Sequence, residues 1–360
     1  MITISLCMIV RDEEDVIARC LDSVKDVVDE IIITDTGSVD NTKEVVKTYT
    51  SLIYDFEWID DFSAARNFSF SKASMDYIFW LDADDVLPES DRMKLKNLKE
   101  SLDPNIDGVM MRYNTGFDES GNPLISCYRQ RLVKRTKYSQ WQEPVHEYLP
   151  TTGNIAEIDI CINHCKLTNK NPSRNCSIFD KYVMQNKELS TRGMYYYARE
   201  LYFAKELEKS KDYLLKYFEK EDAWNEDKII ACLFLAQCYH ELGNEEERMM
   251  ALLRSFTFVI PRTEICCEIG KCFIEKKQYD KAIYWLKYAL QLEAQGKNWG
   301  FTLHDYFGFI PNIQLCLCYD RLGNFEEAKN YNDKAAEYRP DNPHVIHNRE
   351  YFESKLNQPQ

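Results

Sequence analysis

The sequence lacks the features that would place it across a membrane or in a secreted disulfide scaffold. No window of the 360 residues holds the roughly 18 apolar residues that a membrane span requires. The N-terminal segment has no basic residues ahead of its apolar run, which stops at Val10, so it predicts a β-strand rather than a signal peptide. The thirteen cysteines follow no disulfide-like spacing. They predict buried thiols in a reducing cytoplasm.

Positive charge is in deficit as well. The formal net charge is −14, which disfavours a nucleic-acid partner because such a partner needs a basic surface. Residues 1–170 carry −11 of this charge. If this acidic first half binds an anionic ligand, we expect it to use a cation to do so.

The first half alternates apolar strands with amphipathic helices. The segments TISLCMIV, EIIITDTGS and YIFWLDAD are near-continuous apolar runs that end in polar residues. Such strands are typical of a parallel sheet that is covered on both faces. Asp12 is the predicted N-cap of the first helix. We therefore expect an α/β domain over residues 1–170 and an all-helical domain over residues 171–360.

The second half repeats a helix–turn–helix pattern. The segments 238–255, 272–290 and 318–336 share a Cys-aromatic pair, a short turn and a second helix. The turn recurs after 34 residues, from Gly243 to Lys277, and then after 46 residues, at Gly323. A period of 34 with this turn chemistry is typical of tetratricopeptide repeats, which stack into a superhelix. The repeats predict a binding surface for a protein or peptide, and a route to homo-oligomers.

The segment YIFWLDADDVL, residues 77–87, drives a buried strand into a group of carboxylates. Ligands bind beyond the carboxyl ends of the strands in open parallel sheets. Asp82 and Asp84 at such an end offer hard oxygen ligands for a divalent cation that also holds a diphosphate. The alternative interpretation is a solvated N-terminus of the following helix, begun by Asp85 or Glu89.

Four segments occur in one order and together resemble a known family. SLCMIVRDEED, DEIIITDTGSVDNT, DFSAARNFSFSKAS and YIFWLDADD are similar to the motifs of family-2 glycosyltransferases. That resemblance implies a GT-A, Rossmann-like, nucleotide-sugar-binding domain followed by tetratricopeptide repeats. The whole chain resembles bacterial glycosyltransferases with C-terminal repeats, including peptide S- and O-glycosyltransferases of the glycocin type.

The resemblance also implies roles for individual residues. The expected nucleotide-binding residues are Val10, Arg11, Asp12, Glu13, Thr34, Asp35, Arg66, Asp82 and Ala83. The expected ligands of Mn²⁺ or Mg²⁺ are Asp82, Asp84 and His164. Glu147 is the expected catalytic base, with Glu143 as the alternative because it lies four residues away. For Arg66, the alternative to a place near the nucleotide is an ion pair with Asp60 or Asp61.

The implied reaction is an inverting, metal-dependent transfer of a sugar from a nucleoside-diphosphate sugar, with UDP-sugar the expected donor. The implied acceptor is a hydroxyl or thiol of a peptide or protein. Two alternative functions are considered beside this one. The first is synthesis of cell-wall or lipid-linked glycans, and the second is a repeat-based peptide-binding scaffold with an inactive catalytic half. The four residues Asp82, Asp84, Glu147 and His164 disfavour the scaffold.

Other residues leave two interpretations open. Lys170 and Arg174 either close over the diphosphate or belong to a solvated linker. Arg129 or Arg131, on a basic strand, either meets a phosphate or faces solvent. The inserted aromatic segment, residues 298–309, either packs on the repeats or grips an acceptor. The tyrosines at positions 195–197 are predicted to be core, and a zinc site at Cys161 and its neighbours is disfavoured by ligand spacing.

Overall fold

The computed structural model describes residues 1–166, 173–292 and 299–356. The chain divides into two compact units. The first comprises Met1–Thr115 and Cys127–Gly193, and the second comprises Gly116–Ser126 and Met194–Gln360. The predicted domain boundary at residue 170 falls outside the described residues. In the part of the chain that is described, every helix is too short or too polar to span a bilayer.

The first unit is built on one mixed sheet. Its strands are β1 (Ile4–Val10), β2 (Glu30–Asp35), β3 (Ile53–Asp55), β4 (Tyr77–Trp80), β5 (Asp85–Val86), β6 (Gly108–Phe117), β7 (Pro123–Lys134) and β8 (Ile155–His164). They lie in the order β3-β2-β1-β4-β7-β6-β8-β5. The first four strands in this order are parallel, as predicted, and β7 then pairs antiparallel with β4. The apolar runs fit this position because β1 and β4 are buried along nearly their whole length.

The first unit also contains helices. They are α1 (Ile17–Val24), α2 (Thr42–Val46), α3 (Phe62–Phe70), α4 (Glu89–Ser101) and α5 (Arg174–Met184). Helix α1 buries Ile17, Cys20, Leu21 and Val24, which is the predicted apolar face. Helix α3 begins where the Asp61 carboxylate accepts a hydrogen bond from the amide of Ala64 at 3.0 Å. This N-cap satisfies an amide that lacks a partner in the first turn.

The predicted N-cap role of Asp12 is wrong. Helix α1 begins five residues later, at Ile17, and Asp12 adopts a left-handed conformation with φ 54°. Its carboxylate accepts a hydrogen bond from the amide of Val39 at 2.7 Å, and its own amide donates to Ser38 Oγ at 3.0 Å. Asp12 therefore joins the loop after β1 to the loop after β2. Both loops lie at the carboxyl edge of the sheet.

The second unit is helical. Its helices are α6 (Thr191–Phe203), α7 (Leu207–Phe218), α8 (Asn225–Glu241), α9 (Glu245–Arg254), α10 (Thr263–Glu275), α11 (Tyr279–Gln291), α12 (Phe309–Arg321), α13 (Phe325–Tyr338) and α14 (Pro343–Leu356). The predicted repeat turns separate α8 from α9, α10 from α11 and α12 from α13. Each turn has one left-handed residue, with φ 80° at Gly243, 57° at Lys277 and 76° at Gly323. Gly suits two of these positions because it has no side chain to clash there.

The inserted segment is ordered where it is described. Residues Thr302–Leu303 form a short strand, β9, which pairs with Ile125 and Ser126, in the part of β7 that belongs to the second unit. His304 Nε2 lies 2.9 Å from Ser126 Oγ, and Tyr306 donates its hydroxyl to Glu268 at 2.8 Å. Tyr195, Tyr196 and Tyr197 are buried, which confirms the prediction that they are core.

Candidate active site

A cavity of about 300 Å³ opens at the carboxyl edge of the sheet in the first unit. It gathers residues from the ends of β1 and β4, the loop after β8 and the loop around Glu147. Nine of the predicted site residues line it, namely Val10, Arg11, Glu13, Arg66, Asp82, Ala83, Asp84, Glu147 and His164. This placement follows from the parallel strands, whose carboxyl ends meet at one edge of the sheet.

A tight turn after β4 sets the acidic residues. The amide of Asp85 donates to the carbonyl of Asp82 at 3.0 Å, and the amide of Asp82 donates back to Asp85 Oδ2 at 3.0 Å. Cys165 donates its amide to the carbonyl of Asp84 at 2.8 Å, which fixes the turn to the end of β8. The side chains of Asp82 and Asp84 therefore extend from a single turn that these hydrogen bonds hold in place.

Asp85 is the buried support of this turn and not a solvated helix cap. It is fully buried, and its carboxylate pairs with Arg131 at 3.0 Å and accepts the hydroxyl of Tyr113 at 2.9 Å. Helix α4 instead begins at Glu89, after Pro88. Arg131 is also buried, with its guanidinium 3.9 Å from the ring centroid of Trp80. It therefore neutralises Asp85 in the interior and is not placed to meet a phosphate.

Arg66 links the turn to the predicted base. Its Nε donates to Glu147 Oε1 at 2.6 Å and its terminal NH2 donates to Asp82 Oδ1 at 2.7 Å. Burial alone raises the pKa of Asp82. The charges of Arg66, Arg131 and His164, together with the Arg66 hydrogen bond, outweigh burial and lower that pKa to about 2. The alternative prediction, an ion pair of Arg66 with Asp60 or Asp61, is wrong, because Asp60 pairs with Lys181 and Asp61 caps α3.

Two tryptophans hold the Arg66 side chain in place. Its guanidinium carbon lies 4.7 Å from the ring centroid of Trp80 and 4.9 Å from that of Trp141. The two indoles meet edge to face at 4.9 Å. Stacking of a guanidinium between aromatic faces is favourable and restricts its rotation. The arginine therefore positions Glu147 and Asp82 at the same time.

Asp84 and His164 form the part of the site that best fits a divalent cation. His164 Nδ1 lies 3.4 Å from Asp84 Oδ1 and 3.6 Å from Asp85 Oδ1, and it is a buried atom without a hydrogen bond of good geometry. Burial lowers the pKa of His164, but the two carboxylates outweigh it and raise that pKa to about 10. Carboxylate oxygens suit Mn²⁺ or Mg²⁺, and the imidazole nitrogen can complete such a site once it has lost its proton.

The candidate metal ligands, three aspartates and one histidine, are not equivalent. Asp84, Asp85 and His164 place one ligand atom each within 4.8 Å of one another. Asp85, however, is already occupied by Arg131 and Tyr113. Asp82 faces Arg66. Asp84 and His164 are therefore the two ligands that the geometry favours.

The two candidate bases occupy different surroundings. Glu147 lines the cavity, and its side chain is 11% exposed. Glu143 has a left-handed backbone with φ 73°, and its carboxylate accepts the hydroxyl of Ser190 at 2.6 Å. Glu143 is not among the cavity residues. The geometry therefore favours Glu147.

Three predicted nucleotide residues lie beside the cavity rather than in its lining. Asp12 links two loops, and Thr34 and Asp35 are buried at the end of β2. Asp35 Oδ1 accepts the amides of Gly37 and Ser38, each at 3.0 Å, while its Oδ2 is buried without a hydrogen-bond partner. Those hydrogen bonds shape the loop that brings Thr36 into the cavity.

Several lining residues were not expected from the sequence motifs. Trp58 and Phe62 form an aromatic wall, with ring centroids 4.7 Å apart. Arg174, for which the sequence leaves two interpretations, also lines the cavity and stacks on Phe62 at 4.7 Å. Lys166 also lines the cavity, whereas Lys170 lies outside the described residues. No sequence motif around Trp58 or Phe62 marks these residues as part of a binding site. Their role follows only from the loop that places them here.

Comparisons with known proteins agree with this architecture. Residues 5–173 match the glycosyl transferase family 2 model, and residues 313–342 match a tetratricopeptide repeat model. The chain thus has a family-2 glycosyltransferase domain followed by a tetratricopeptide-repeat region.

Three relatives illustrate the range of similarity. A TPR repeat-containing protein of Synechococcus elongatus is 51% identical over 147 residues, which is 41% of this chain and 35% of that protein. The glycosyltransferase SunS of Bacillus subtilis is 26% identical over 254 residues, 65% of this chain and 59% of SunS. The lipopolysaccharide core biosynthesis glycosyltransferase LpsC of Rhizobium meliloti is 26% identical over 160 residues, 42% of this chain and 58% of LpsC. The chain spans less than two thirds of each relative.

Proposed function

We propose that this chain, whose residues 5–173 form a family-2 glycosyltransferase domain, transfers a sugar from a nucleoside-diphosphate sugar to a hydroxyl or thiol with inversion. The observation that carries the proposal is the single cavity shared by Glu147, Arg66, Asp84 and His164. A scaffold with an inactive first half would have no need for this arrangement. The glycosyltransferase relatives support the same conclusion.

Glu147 is the proposed general base. It takes the proton of the acceptor as the acceptor oxygen or sulfur attacks the anomeric carbon, and the bond from that carbon to the nucleoside diphosphate breaks. One displacement inverts the anomeric configuration. The Arg66 hydrogen bond occupies Oε1 of Glu147, and Oε2 has no partner among the residues described, so Oε2 is the proposed proton acceptor.

The remaining residues serve the leaving group. Asp84 and His164 would hold Mn²⁺ or Mg²⁺, which supplies Lewis-acid stabilisation of the leaving diphosphate. Arg11, Lys166 and Arg174 line the same cavity and add positive charge beside the carboxylates. These cations lower the cost of bringing an anionic donor into an acidic domain.

The proposed donor is a UDP-sugar and the proposed acceptor is a peptide or protein. The repeat region supports a peptide acceptor, because such arrays present extended binding surfaces. A lipid-linked or cell-wall glycan is the second candidate acceptor, and the similarity to LpsC favours it. A cytoplasmic location, supported by thirteen free thiols, and homo-oligomers formed through the repeats remain predictions.

A donor screen tests the proposal. UDP-, GDP- and ADP-sugars are incubated with the full chain, with Mn²⁺, with Mg²⁺ or with chelator, and released nucleotide is measured. We expect release from one nucleotide class only, dependent on the cation and lost in Glu147→Gln. Equal, background-level release with every donor and metal would contradict the proposed activity.

A further inference from the structure

The second unit contains seven arginines, and all but one follow a simple rule. The deeply placed ones each pair with two carboxylates: Arg248 with Glu245 and Glu275, Arg262 with Glu226 and Glu264, and Arg339 with Glu119 and Asp305. The exposed ones, Arg254, Arg321 and Arg349, face solvent. Burying a guanidinium is costly unless an acceptor pairs with it, so the rule is the expected one.

Arg199 of α6 breaks this rule. It is partly buried, yet no carboxylate within the described residues lies in ion-pairing distance of it. Asp227 and Glu200 act on its charge only from farther away. Its Nε is fully buried and has no hydrogen-bond partner. Among the described residues, Arg199 therefore lacks the carboxylate partners that Arg248, Arg262 and Arg339 have.

Aromatic rings surround the Arg199 guanidinium. The ring centroids of Tyr195, Tyr196, Phe234 and Phe301 lie 5.6, 5.1, 5.5 and 5.6 Å from its central carbon. The rings come from α6, from α8 and from the inserted segment, so the enclosure is built by separate parts of the repeat unit. Rings at these distances hold the guanidinium in place, but they accept no conventional hydrogen bond from its N–H groups.

We propose that the Arg199 enclosure binds a carboxylate of the acceptor peptide. A guanidinium pairs with a planar carboxylate through two parallel hydrogen bonds, and the rings provide apolar walls for the atoms that carry the carboxylate. The assignment of the carboxylate to an acceptor peptide rests on the proposed function, whereas the anion site itself does not. It also gives Phe301 of the inserted segment a role in acceptor binding.

Nuclear magnetic resonance of the full chain tests this site. The Arg199 Nε–H signal is assigned by its loss in Arg199→Met, and it is followed during titration with N-acetyl-phenylalanine. This probe carries one carboxylate and one ring, and N-acetyl-phenylalaninamide is the uncharged control. Arg254→Met is the matched control variant, because Arg254 stacks on Phe218 at 4.6 Å but is exposed.

We expect the carboxylate probe to shift the Arg199 signal and to bind at least tenfold more tightly than the amide. Arg199→Met should abolish that difference, and Arg254→Met should retain it. Equal binding of the two probes, no shift of the Arg199 signal, or tighter binding of inorganic phosphate would overturn the carboxylate site. Donor turnover measured on the same wild-type sample reports the proposed transferase activity separately, so the two failures are distinguishable.

Discussion

Replacing Arg66 with methionine tests how much the ion pairs of its guanidinium with Glu147 and Asp82 contribute to the stability of the first unit. The change removes the hydrogen bonds to Glu147 Oε1 and Asp82 Oδ1, at 2.6 and 2.7 Å, while keeping an apolar side chain between the two tryptophans. Removing one member of a buried ion pair costs about 3–5 kcal/mol, because the remaining charge stays buried without a partner. Glu147 is 11% exposed, but Asp82 is 36% exposed and solvent compensates part of its loss.

We therefore expect a loss near the lower limit, about 3 kcal/mol. For a unit of this size, 1 kcal/mol shifts the melting temperature by about 2–4 °C, so the melting temperature should fall by roughly 6–12 °C. Differential scanning calorimetry in chelator measures it without interference from a bound cation.

The matched control is Arg112→Met. Arg112 pairs with Asp159 at 3.4 Å in the same unit, but both side chains are well exposed, at 41% and 71%. Exposed pairs contribute about 0–1 kcal/mol, so this variant should melt close to wild type. If Arg66→Met also melted within about 2 °C of wild type, the argument that Arg66 is an essential buried charge would be refuted.

Three further predictions follow from the same geometry. Asp84→Ala should weaken Mn²⁺ binding, measured by isothermal titration calorimetry, by at least about tenfold, and unchanged affinity would exclude Asp84 as a ligand. In native protein at neutral pH, Ellman's reagent should label the half-buried Cys161 and Cys165 before the other eleven thiols, which are buried, and rapid labelling of all thirteen would contradict the packing. Because the pKa of Asp82 falls from 3.8 to about 2 on folding, its stabilisation should be present above about pH 4 and lost as pH falls toward 2, and Asp82→Asn, melted in chelator, should lack that pH-dependent component.

The sequence predicted the sheet and the repeats because both leave periodic signals. A short, continuous apolar run such as Ile4–Val10 is typical of a buried strand. The turn at Gly243 recurs later in the chain, and this repetition indicates stacked helix pairs. The parallel order of the first strands then brought Asp82, Asp84 and Val10 to one edge. These predictions depend on chain geometry that local residue patterns determine.

Other features depended on contacts distant in sequence. Asp12 resembled a helix cap, yet its partner is Val39, from the loop after β2, and no local pattern shows that hydrogen bond. Asp60 and Asp61 are the acidic residues near Arg66 in sequence, but its partner Glu147 lies 81 residues away. Long-range pairing of this kind follows from the packed sheet rather than from propensity.

The Arg199 enclosure shows the same limit. Its rings come from positions 195, 196, 234 and 301, and the spacing between them has no period. The tyrosines alone predicted only a buried core, which the structure confirms. No sequence pattern shows which arginine lacks a carboxylate, because the packing of the helices sets the partners of Arg248, Arg262 and Arg339.

If Glu147 is the base in a glycosyl-transfer site, its replacement should slow transfer far more than replacement of Glu143. Initial rates of sugar transfer and donor affinity are measured for Glu147→Gln and Glu143→Gln beside wild type. Removing a general base costs about 10²–10⁴-fold in rate. We predict at least a 10²-fold loss of rate for Glu147→Gln with donor affinity near wild type. We predict a much smaller effect for Glu143→Gln, because Glu143 lies outside the cavity against Ser190. Near-normal turnover of Glu147→Gln would contradict the role of Glu147 as the base, whether or not Glu143→Gln is inactive.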